Sequence, residues 1–249
     1  MSTKLEQIAR LAEREPSMVF TSLAHLIDEE FLTGSFYKLR KSAASGLDNR
    51  SYRDYEHDLA ANISVLHTRL KTGRYKAPNI KRAWISKGKG KEKRPLGIST
   101  IEDKVVQRAV SDLLSAIYEP TFQSHSYGFR PGKSPHQALS YIRNQIMNRP
   151  YRWLIDADIK SCFDSFDHKV LVEIIKRRVN DGAIIRLLNQ WMKAGVVDGN
   201  QMFKPESGVP QGNIISPLLS NIYYTITRSR TITQINRGGI NPDQGDNGR

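Results

Sequence analysis

The chain has 249 residues, and its 38 Lys and Arg residues outnumber its 25 Asp and Glu residues, which gives a formal net charge of +13 at pH 7. A content of 39% hydrophobic and 25% charged residues is typical of a globular protein and excludes a disordered or fibrous one. No apolar run approaches the roughly 20 residues needed to cross a membrane, and the single cysteine, Cys162, excludes a disulfide framework within one chain. We therefore expect a soluble, cytoplasmic protein without membrane contact, whose positive charge points to a polyanionic partner such as nucleic acid.

The first part of the chain is predicted to be helical. Apolar residues recur at helical spacing in Leu5–Arg14 and in Met18–Phe31, and Ser17 is placed to cap the second of these helices. A stripe of period 3.6 from Tyr52 to Leu70 predicts a further helix. The Ser-, Gly- and Asn-rich stretch that precedes Tyr52 is typical of a connector.

A basic run follows, from Lys81 to Arg94. The run reads KRAWISKGKGKEKR and holds seven basic residues and one acid, a net charge of +6. The short apolar stretches Ala83–Ile85 and Leu96–Ile98 flank it and predict the strands of a hairpin. A solvated basic loop or a localisation tract is an equally good interpretation of such a run in isolation. Gly88 and Gly90 favour contact with phosphates, because glycine lets the backbone approach a ligand closely.

The strongest helix prediction comes directly after the hairpin. Thr100 can cap it, with Asp103 three residues later in an arrangement that resembles a capping box. Apolar residues then line one face from Ile101 to Ile117. A loop leads from there to another predicted helix, Gln137–Met147.

Acidic residues cluster at the end of a predicted strand, Tyr151–Asp158. Asp156 and Asp158 are two residues apart, so on a strand they point to the same face. Carboxylates are hard oxygen ligands that suit Mg²⁺. The alternative is that these acids only end strands and cap helices, and Asp167 is expected to be such a cap.

Two helices are predicted beyond these acids, one with Val170, Leu171, Ile174 and Ile175 on its apolar face and one with Ile184, Leu187, Leu188 and Trp191. The pattern changes after Tyr224. The last residues are rich in Gly, Asn, Asp, Gln and Arg and carry no helical stripe, so residues 226–249 are expected to be a divergent, disordered tail.

Residues 1–224 resemble a group II intron-encoded reverse transcriptase, also called a maturase. The resemblance is carried, in the family's order, by KSAASGLDNRSYRDYE, KRAWISKGKGKEKRPLGISTIEDKVVQRAV, SYGFRPGKSPHQAL, LIDADIKSCFDSFDH and GVPQGNIISPLLSNIY. It implies an α+β fold of the right-hand polymerase type with the thumb absent. The implied divisions are a helical N-terminal extension (1–75), fingers (76–150), a partial palm (151–225) and the tail (226–249).

The resemblance also implies catalytic and nucleotide-binding residues. Asp158 matches the first palm aspartate, which is catalytic and binds Mg²⁺, with the carbonyl group of Ile159 as a further metal ligand. Phe163 matches the aromatic residue that packs under the sugar of the incoming nucleotide. Gln211 matches the residue beside the nucleotide pocket.

Basic residues of the fingers are implied to bind phosphates. Lys87 and Arg94 match the residues that grip the triphosphate, and one extra residue between them leaves Lys89 as a substitute for Lys87. Arg130 lies in a segment that faces the template or the nucleotide in the family. The other residues expected to bind nucleic acid are Lys81, Arg82, Lys89, Lys91 and Lys93.

The sequence departs from the family in one respect that bears on activity. Two-metal phosphoryl transfer needs ions about 3.5–4 Å apart, and in reverse transcriptases the other carboxylates come from a Tyr-x-Asp-Asp hairpin. The sequence contains no Asp-Asp pair, and Asp243 and Asp246 lie among Gly and Asn residues where no strand is predicted. We therefore expect the 249-residue chain to be inactive alone.

The implied reaction is the addition of dNTPs to the 3′-hydroxyl of a DNA primer, with intron RNA as template. Two alternatives stay open. One is a non-catalytic RNA-binding maturase that assists splicing, and the other is a decayed remnant. A frameshift near Tyr224 would explain the abrupt end of the family pattern.

Overall fold

The computed structural model describes residues 3–86, 93–150, 153, 156, 158, 163 and 165–225. These residues form an α+β structure of helices and one small sheet. The helices are α1 (Thr3–Arg14), α2 (Glu29–Tyr37), α3 (Tyr52–His57), α4 (Leu59–Lys71), α5 (Ile101–Tyr118), α6 (Pro135–Asn148), α7 (His168–Lys176), α8 (Gly182–Met192) and α9 (216–225). The strands are β1 (Ile80–Ser86), β2 (Lys93–Ile98), β3 (Val196–Asp198) and β4 (Gln201–Phe203).

The sheet has the order β2-β1-β3-β4. β1 pairs with β2 in antiparallel fashion, which confirms the predicted basic hairpin, and β1 also pairs with β3 in parallel fashion. β3 and β4 form a second, shorter hairpin. The sheet therefore joins two parts of the chain that are more than a hundred residues apart.

Helix α5 is the centre of the core. Its predicted apolar stripe is fully buried, from Ile101 and Val105 to Ile117. Helices α1 and α2 pack against it. The predicted cap is present, because the Thr100 hydroxyl accepts a hydrogen bond from the Asp103 N–H group at 3.2 Å.

The second half of the predicted capping box is wrong. The Asp103 carboxylate does not accept a hydrogen bond from the Thr100 N–H group, as a capping box requires. It lies in the core and is 1% exposed. One of its oxygens accepts hydrogen bonds from the Tyr75 hydroxyl at 2.6 Å and from Trp191 Nε1 at 2.7 Å, and the other accepts one from Gln107 Nε2 at 2.8 Å. Asp103 thus links α5 to the chain after α4 and to α8.

Burial raises the pKa of the Asp103 carboxyl above its ordinary value, although the hydrogen bonds from Tyr75, Trp191 and Gln107 act in the opposite direction. Burial and the neighbouring carboxylate raise the pKa of Tyr75 well above its ordinary value. The tyrosine hydroxyl therefore keeps the proton that it donates to Asp103.

The helix predicted over Met18–Phe31 is wrong. Phe20 pairs with Val179 in an isolated parallel bridge, a single 3-10 turn follows at Ala24–Leu26, and the next helix begins only at Glu29. Hydrogen bonds to distant parts of the chain override the local periodicity here.

The distant acceptor is Asp181. One of its carboxylate oxygens accepts hydrogen bonds from the N–H groups of Leu23 at 2.6 Å and Ala24 at 2.9 Å. The other caps α8 through the N–H groups of Ala183 and Ile184, at 2.8 and 3.1 Å. Asp181 therefore ties the segment before α2 to the start of α8.

The other predictions are mostly confirmed. The helix predicted from Tyr52 to Leu70 is present but is interrupted at Asp58, which separates α3 from α4. Asp167 caps α7 as predicted, by accepting from the N–H groups of Lys169 and Val170. The strand predicted over Tyr151–Asp158 lies mostly outside the described residues. Among the helices that are described, none is long and apolar enough to cross a membrane.

We predict that Asp103→Ala lowers the free energy of unfolding by about 3–5 kcal/mol, because it leaves the buried donors of Tyr75 and Trp191 without an acceptor and removes one of the two acceptors of Gln107 Nε2. Urea unfolding measures the effect. Glu173→Ala, which removes an exposed acid on α7, is the control and should change stability by less than about 0.5 kcal/mol. Equal stability of the two variants would contradict the role assigned to Asp103.

We also predict that Asp181 contributes to acid denaturation. Burial raises the pKa of its carboxyl, but the four backbone N–H donors outweigh burial, and the pKa is lowered overall from 3.8. Its contribution to stability is therefore complete above about pH 4 and is lost as pH falls through the native pKa. Asp181→Asn should lower the free energy of unfolding by about 1–3 kcal/mol at pH 7.

Urea unfolding at a series of pH values measures this effect. The free energies of unfolding of the wild type and of Asp181→Asn should become more similar as the pH is lowered toward about 2. A difference that stays constant between pH 7 and about pH 2 would contradict this assignment.

Candidate nucleotide and nucleic-acid site

The hairpin of β1 and β2 displays exposed cations along its length. Its register runs from Lys81 opposite Ile98 to Ser86 opposite Lys93. Lys81, Lys93 and Arg94 are exposed. The lysines between the two strands lie outside the described residues; they are Lys87, Lys89 and Lys91.

The base of this hairpin contacts residues 208–215, here named the Gln211 loop. The Gly97 N–H group donates a hydrogen bond to the Gln211 carbonyl oxygen at 2.6 Å. Gly212 has a φ of 106°, and a Cβ atom there would overlap the carbonyl oxygen of Gly97. A Cβ atom on Gly97 would lie 2.8 Å from Ile80. The two backbones approach this closely because both residues are glycine.

Buried side chains hold the Gln211 loop from its other side. The Ser99 hydroxyl donates to Asn213 Oδ1 at 2.7 Å. Gln107 Oε1 accepts a hydrogen bond from the Ile214 N–H group at 2.9 Å, and Gln107 Nε2 donates to Asp103. The hydrogen bonds that centre on Asp103 therefore extend into the Gln211 loop, and we call Ser99, Asp103, Gln107 and Asn213 the buried network.

The segment that carries Phe163 is joined to the same loop. The Phe163 carbonyl oxygen accepts a hydrogen bond from the Val209 N–H group at 2.7 Å, and the Phe166 carbonyl oxygen accepts one from Gly208 at 2.8 Å. His168 Nε2 donates to the Gly208 carbonyl oxygen at 2.6 Å, which gives this histidine a structural role.

The Phe163 ring is partly buried against the core, with its centroid 6.4 Å from that of Phe166 in an edge-to-face arrangement. Phe166 is fully buried and packs against Tyr223 of α9. The structure therefore brings Phe163, Gln211 and the base of the basic hairpin to one place.

Asp158 is exposed, and Ile159 lies outside the described residues. Within the ranges that the structure describes, no group of three or more His, Cys, Asp and Glu side chains could hold a metal ion. Because the sequence also has no Asp-Asp pair, these residues do not assemble the donors for two divalent ions. No chemical step is therefore assigned to a bound metal.

Arg130 forms hydrogen bonds within its own loop. Its Nε and Nη2 atoms donate to Glu119 at 3.0 and 2.9 Å, and Nη1 donates to the carbonyl oxygens of Gln123 and Ser126. The side chain is 7% exposed and lies over the Phe122 ring. No pattern in the sequence predicts this internal role, and a contact between Arg130 and a nucleic acid stays a prediction.

The hairpin of β3 and β4 was also missing from the sequence analysis. The signal for it is the Asp-Gly-Asn turn at 198–200, where Gly199 has a φ of 58°. The hairpin places Asp198 beside Arg82, with 3.8 Å between their charged groups. Arg82, a predicted nucleic-acid contact, is thereby oriented by an acid that follows it by more than a hundred residues.

We predict that Gly212→Ala separates the basic hairpin from the Gln211 loop, because the new Cβ atom overlaps the Gly97 carbonyl oxygen and the φ disfavours alanine. The free energy of unfolding should fall by at least about 2 kcal/mol, and amide hydrogen exchange at Gly97 should accelerate. Gly34→Ala, on α2, is the control: nothing lies within 4 Å of a Cβ atom there. Its stability should be equal or slightly higher. Unchanged exchange at Gly97 in Gly212→Ala would contradict the contact.

Comparison with known proteins identifies the family. The family described as reverse transcriptase (RNA-dependent DNA polymerase) matches residues 85–237. The group II intron-encoded protein LtrA of Lactococcus lactis subsp. cremoris is 35% identical over 223 residues, which are 88% of this chain and 36% of LtrA. Protein YkfC of Escherichia coli K12 is 33% identical over 229 residues, which are 89% of this chain and 60% of YkfC. The chain thus spans from about a third to three fifths of the length of these relatives.

A solved structure, a chain of a partial Cas6-RT-Cas1–Cas2 complex, has a TM-score of 0.53 and 23% identity. The match covers 82% of this chain and 34% of that chain. At this identity the likeness shows the fold alone. With the family match over most of the chain and the identity to intron-encoded relatives, the chain belongs to the reverse transcriptase family, among the group II intron-encoded reverse transcriptases and maturases.

Proposed function

We propose that this chain supplies the fingers and part of the palm of an RNA-directed DNA polymerase encoded by a group II intron. The template is intron RNA, the primer is DNA and the substrates are dNTPs. The observation that carries the proposal is the contact between the Gly97 N–H group at the base of the basic hairpin and the Gln211 carbonyl oxygen. This contact joins β2, the strand that carries Lys93 and Arg94, to the loop that is proposed to border the nucleotide.

We propose that different residues of the pocket contact different parts of the nucleotide. Arg94, with Lys87 or Lys89, binds the triphosphate of the incoming nucleotide. Phe163 supports the sugar, and its position is supported by the hydrogen bond between its carbonyl oxygen and Val209. Gln211 borders the base and the primer terminus.

Asp158, with the carbonyl group of Ile159, is proposed to supply part of a Mg²⁺ site. Once completed, that site would hold two ions, one to activate the primer hydroxyl and one to stabilise the leaving pyrophosphate. Reverse transcriptases generally use divalent ions. One carboxylate does not hold two dications, so further carboxylates are required. We propose that the 249-residue chain without them binds nucleic acid but does not polymerise.

A non-catalytic role in splicing is the second candidate. It is favoured by the combination of a buried network that holds the Gln211 loop and a sequence without an Asp-Asp pair. A chain that keeps its basic surface can still bind intron RNA through phosphate contacts. The division of the chain into a helical N-terminal extension (1–75), fingers (76–150) and a partial palm (151–225) is also part of the proposal.

We predict that Lys93→Ala/Arg94→Ala weakens binding to an RNA template annealed to a DNA primer and lowers the salt dependence of that binding by about 1–1.5 in the slope of log K against log salt. Fluorescence anisotropy with a labelled primer measures both. The matched control is Lys176→Ala/Arg177→Ala, which removes a second exposed Lys-Arg pair, on and after α7. Equal losses in the two double variants would contradict a specific role of the hairpin.

We further predict that the purified chain with primer, RNA template, Mg²⁺ and dNTPs gives no template-dependent extension. The reason is the incomplete set of carboxylates for two metal ions. A gel assay with a labelled primer measures this, and a complete group II intron reverse transcriptase is the positive control. Template-dependent products from the chain alone would contradict the proposed inactivity, and loss of binding as well as extension would favour a decayed remnant.

A further inference from the structure

Trp84 is a half-exposed aromatic side chain on the basic hairpin. It lies on β1, and 50% of its surface is exposed. Phe203, on β4, is 43% exposed. Large aromatic side chains at the surface mark contact sites when they are held in a fixed position beside groups of complementary chemistry.

The indole of Trp84 is held in such a position. Its Nε1 atom donates a hydrogen bond to the Asp198 carboxylate at 3.2 Å. The Arg82 guanidinium lies 5.7 Å from the centre of the Trp84 ring and 5.1 Å from that of the Phe203 ring. The same guanidinium is 3.8 Å from Asp198. We call these four residues, on three different strands, the aromatic platform.

Strand register places the platform on one face of the sheet. Directly opposed residues of paired strands share a face, and Trp84 is opposite Pro95 while Ser86 is opposite Lys93. Lys93, which is exposed, therefore lies on the same face as Trp84, two pairs further from the base of the hairpin.

The platform also borders the pocket assigned above. A small cleft of about 110 Å³ separates the hairpin from the Gln211 loop, and Arg82, Pro95 and Gln211 are among the residues that line it. Arg82 thus contacts both rings of the platform and the wall of the cleft. Trp84 is therefore adjacent to a residue that lines the cleft.

Charge and shape favour one occupant. A flat aromatic face beside exposed cations is suited to a nucleobase and its phosphate, and stacking needs a base that is not covered by a neighbour in a duplex. The one acid of the platform, Asp198, is partnered by Arg82 and by the indole N–H group, which reduces its repulsion of phosphate. Lys93, exposed on the same face of the sheet as Trp84, supplies a cation for the phosphate.

We propose that the aromatic platform stacks an unpaired base of single-stranded RNA, with an adjacent phosphate on Lys93. This inference rests on the proposed function, since the RNA strand would be the template ahead of the pocket. It adds a base-binding subsite to a hairpin otherwise expected to contact phosphates alone.

Tryptophan fluorescence tests the proposal on the whole chain. In a Trp153→Phe background, the remaining tryptophans are Trp84 and the buried Trp191, which is 2% exposed. A short oligoadenylate RNA should quench the emission of Trp84. An RNA-like strand of equal length and charge without bases should bind without quenching, and a duplex RNA should bind without quenching.

Affinity measured by anisotropy gives the second readout. Trp84→Ala should weaken oligoadenylate binding about ten-fold and leave binding of the base-free strand unchanged, while Trp84→Phe should retain most of the affinity. Met202→Ala is the control, because Met202 is also exposed but lies on the opposite face of the sheet. Urea unfolding of each variant checks that the fold is retained.

The outcomes separate the two proposals. If the chain binds RNA in a salt-dependent manner, but Trp84 emission is not quenched and Trp84→Ala does not weaken binding, base stacking on the platform is overturned and the proposed function stands. If the chain binds no RNA at all, both are overturned. Equal quenching by the base-free strand would also overturn stacking, because that strand has no base to stack.

Discussion

The Asp103 carboxylate is buried in the core and accepts hydrogen bonds from three side chains that belong to three parts of the chain. Tyr75 follows α4, Trp191 belongs to α8, and Gln107 lies one turn further along α5. A carboxyl group in this position is costly to bury unless its oxygens are fully bonded. The three donors therefore connect these elements through one carboxylate. Asp103 is the acceptor for Tyr75 and Trp191, while Gln107 Nε2 donates to Asp103 and also to the Ser99 hydroxyl.

The same bonds reach the candidate site. Gln107 uses its amide nitrogen for Asp103 and its amide oxygen for the Ile214 N–H group, so the core and the Gln211 loop share one side chain. On the outer side, Gly97 and Gly212 let the basic hairpin touch that loop backbone to backbone. The interior of the protein thus fixes the position of the Gln211 loop, which is proposed to border the nucleotide.

Local sequence predicted the elements whose patterns are local. The buried stripe of α5, the caps at Thr100 and Asp167 and the hairpin of β1 and β2 depend on neighbours within a few residues, and all are present. The segment Met18–Phe31 has helical spacing but is bonded to Asp181 and Arg178, which periodicity cannot reveal. For the same reason Asp103 was expected to cap α5 and not to join it to Tyr75 and Trp191. The family motifs predict a role for Gln211, whereas the partners that hold its loop, Gln107 and Asn213, become apparent only in three dimensions.

The central claim is that the basic hairpin and the Gln211 loop form one nucleotide-binding unit. Hydrogen–deuterium exchange of the chain with and without an RNA template, a DNA primer and a matching dNTP in Mg²⁺ tests it most directly. The claim predicts that residues 93–98 and 208–214 gain protection together, while α8 is unchanged. Protection of only one of these segments, or of neither while the primer and template are bound, would contradict it.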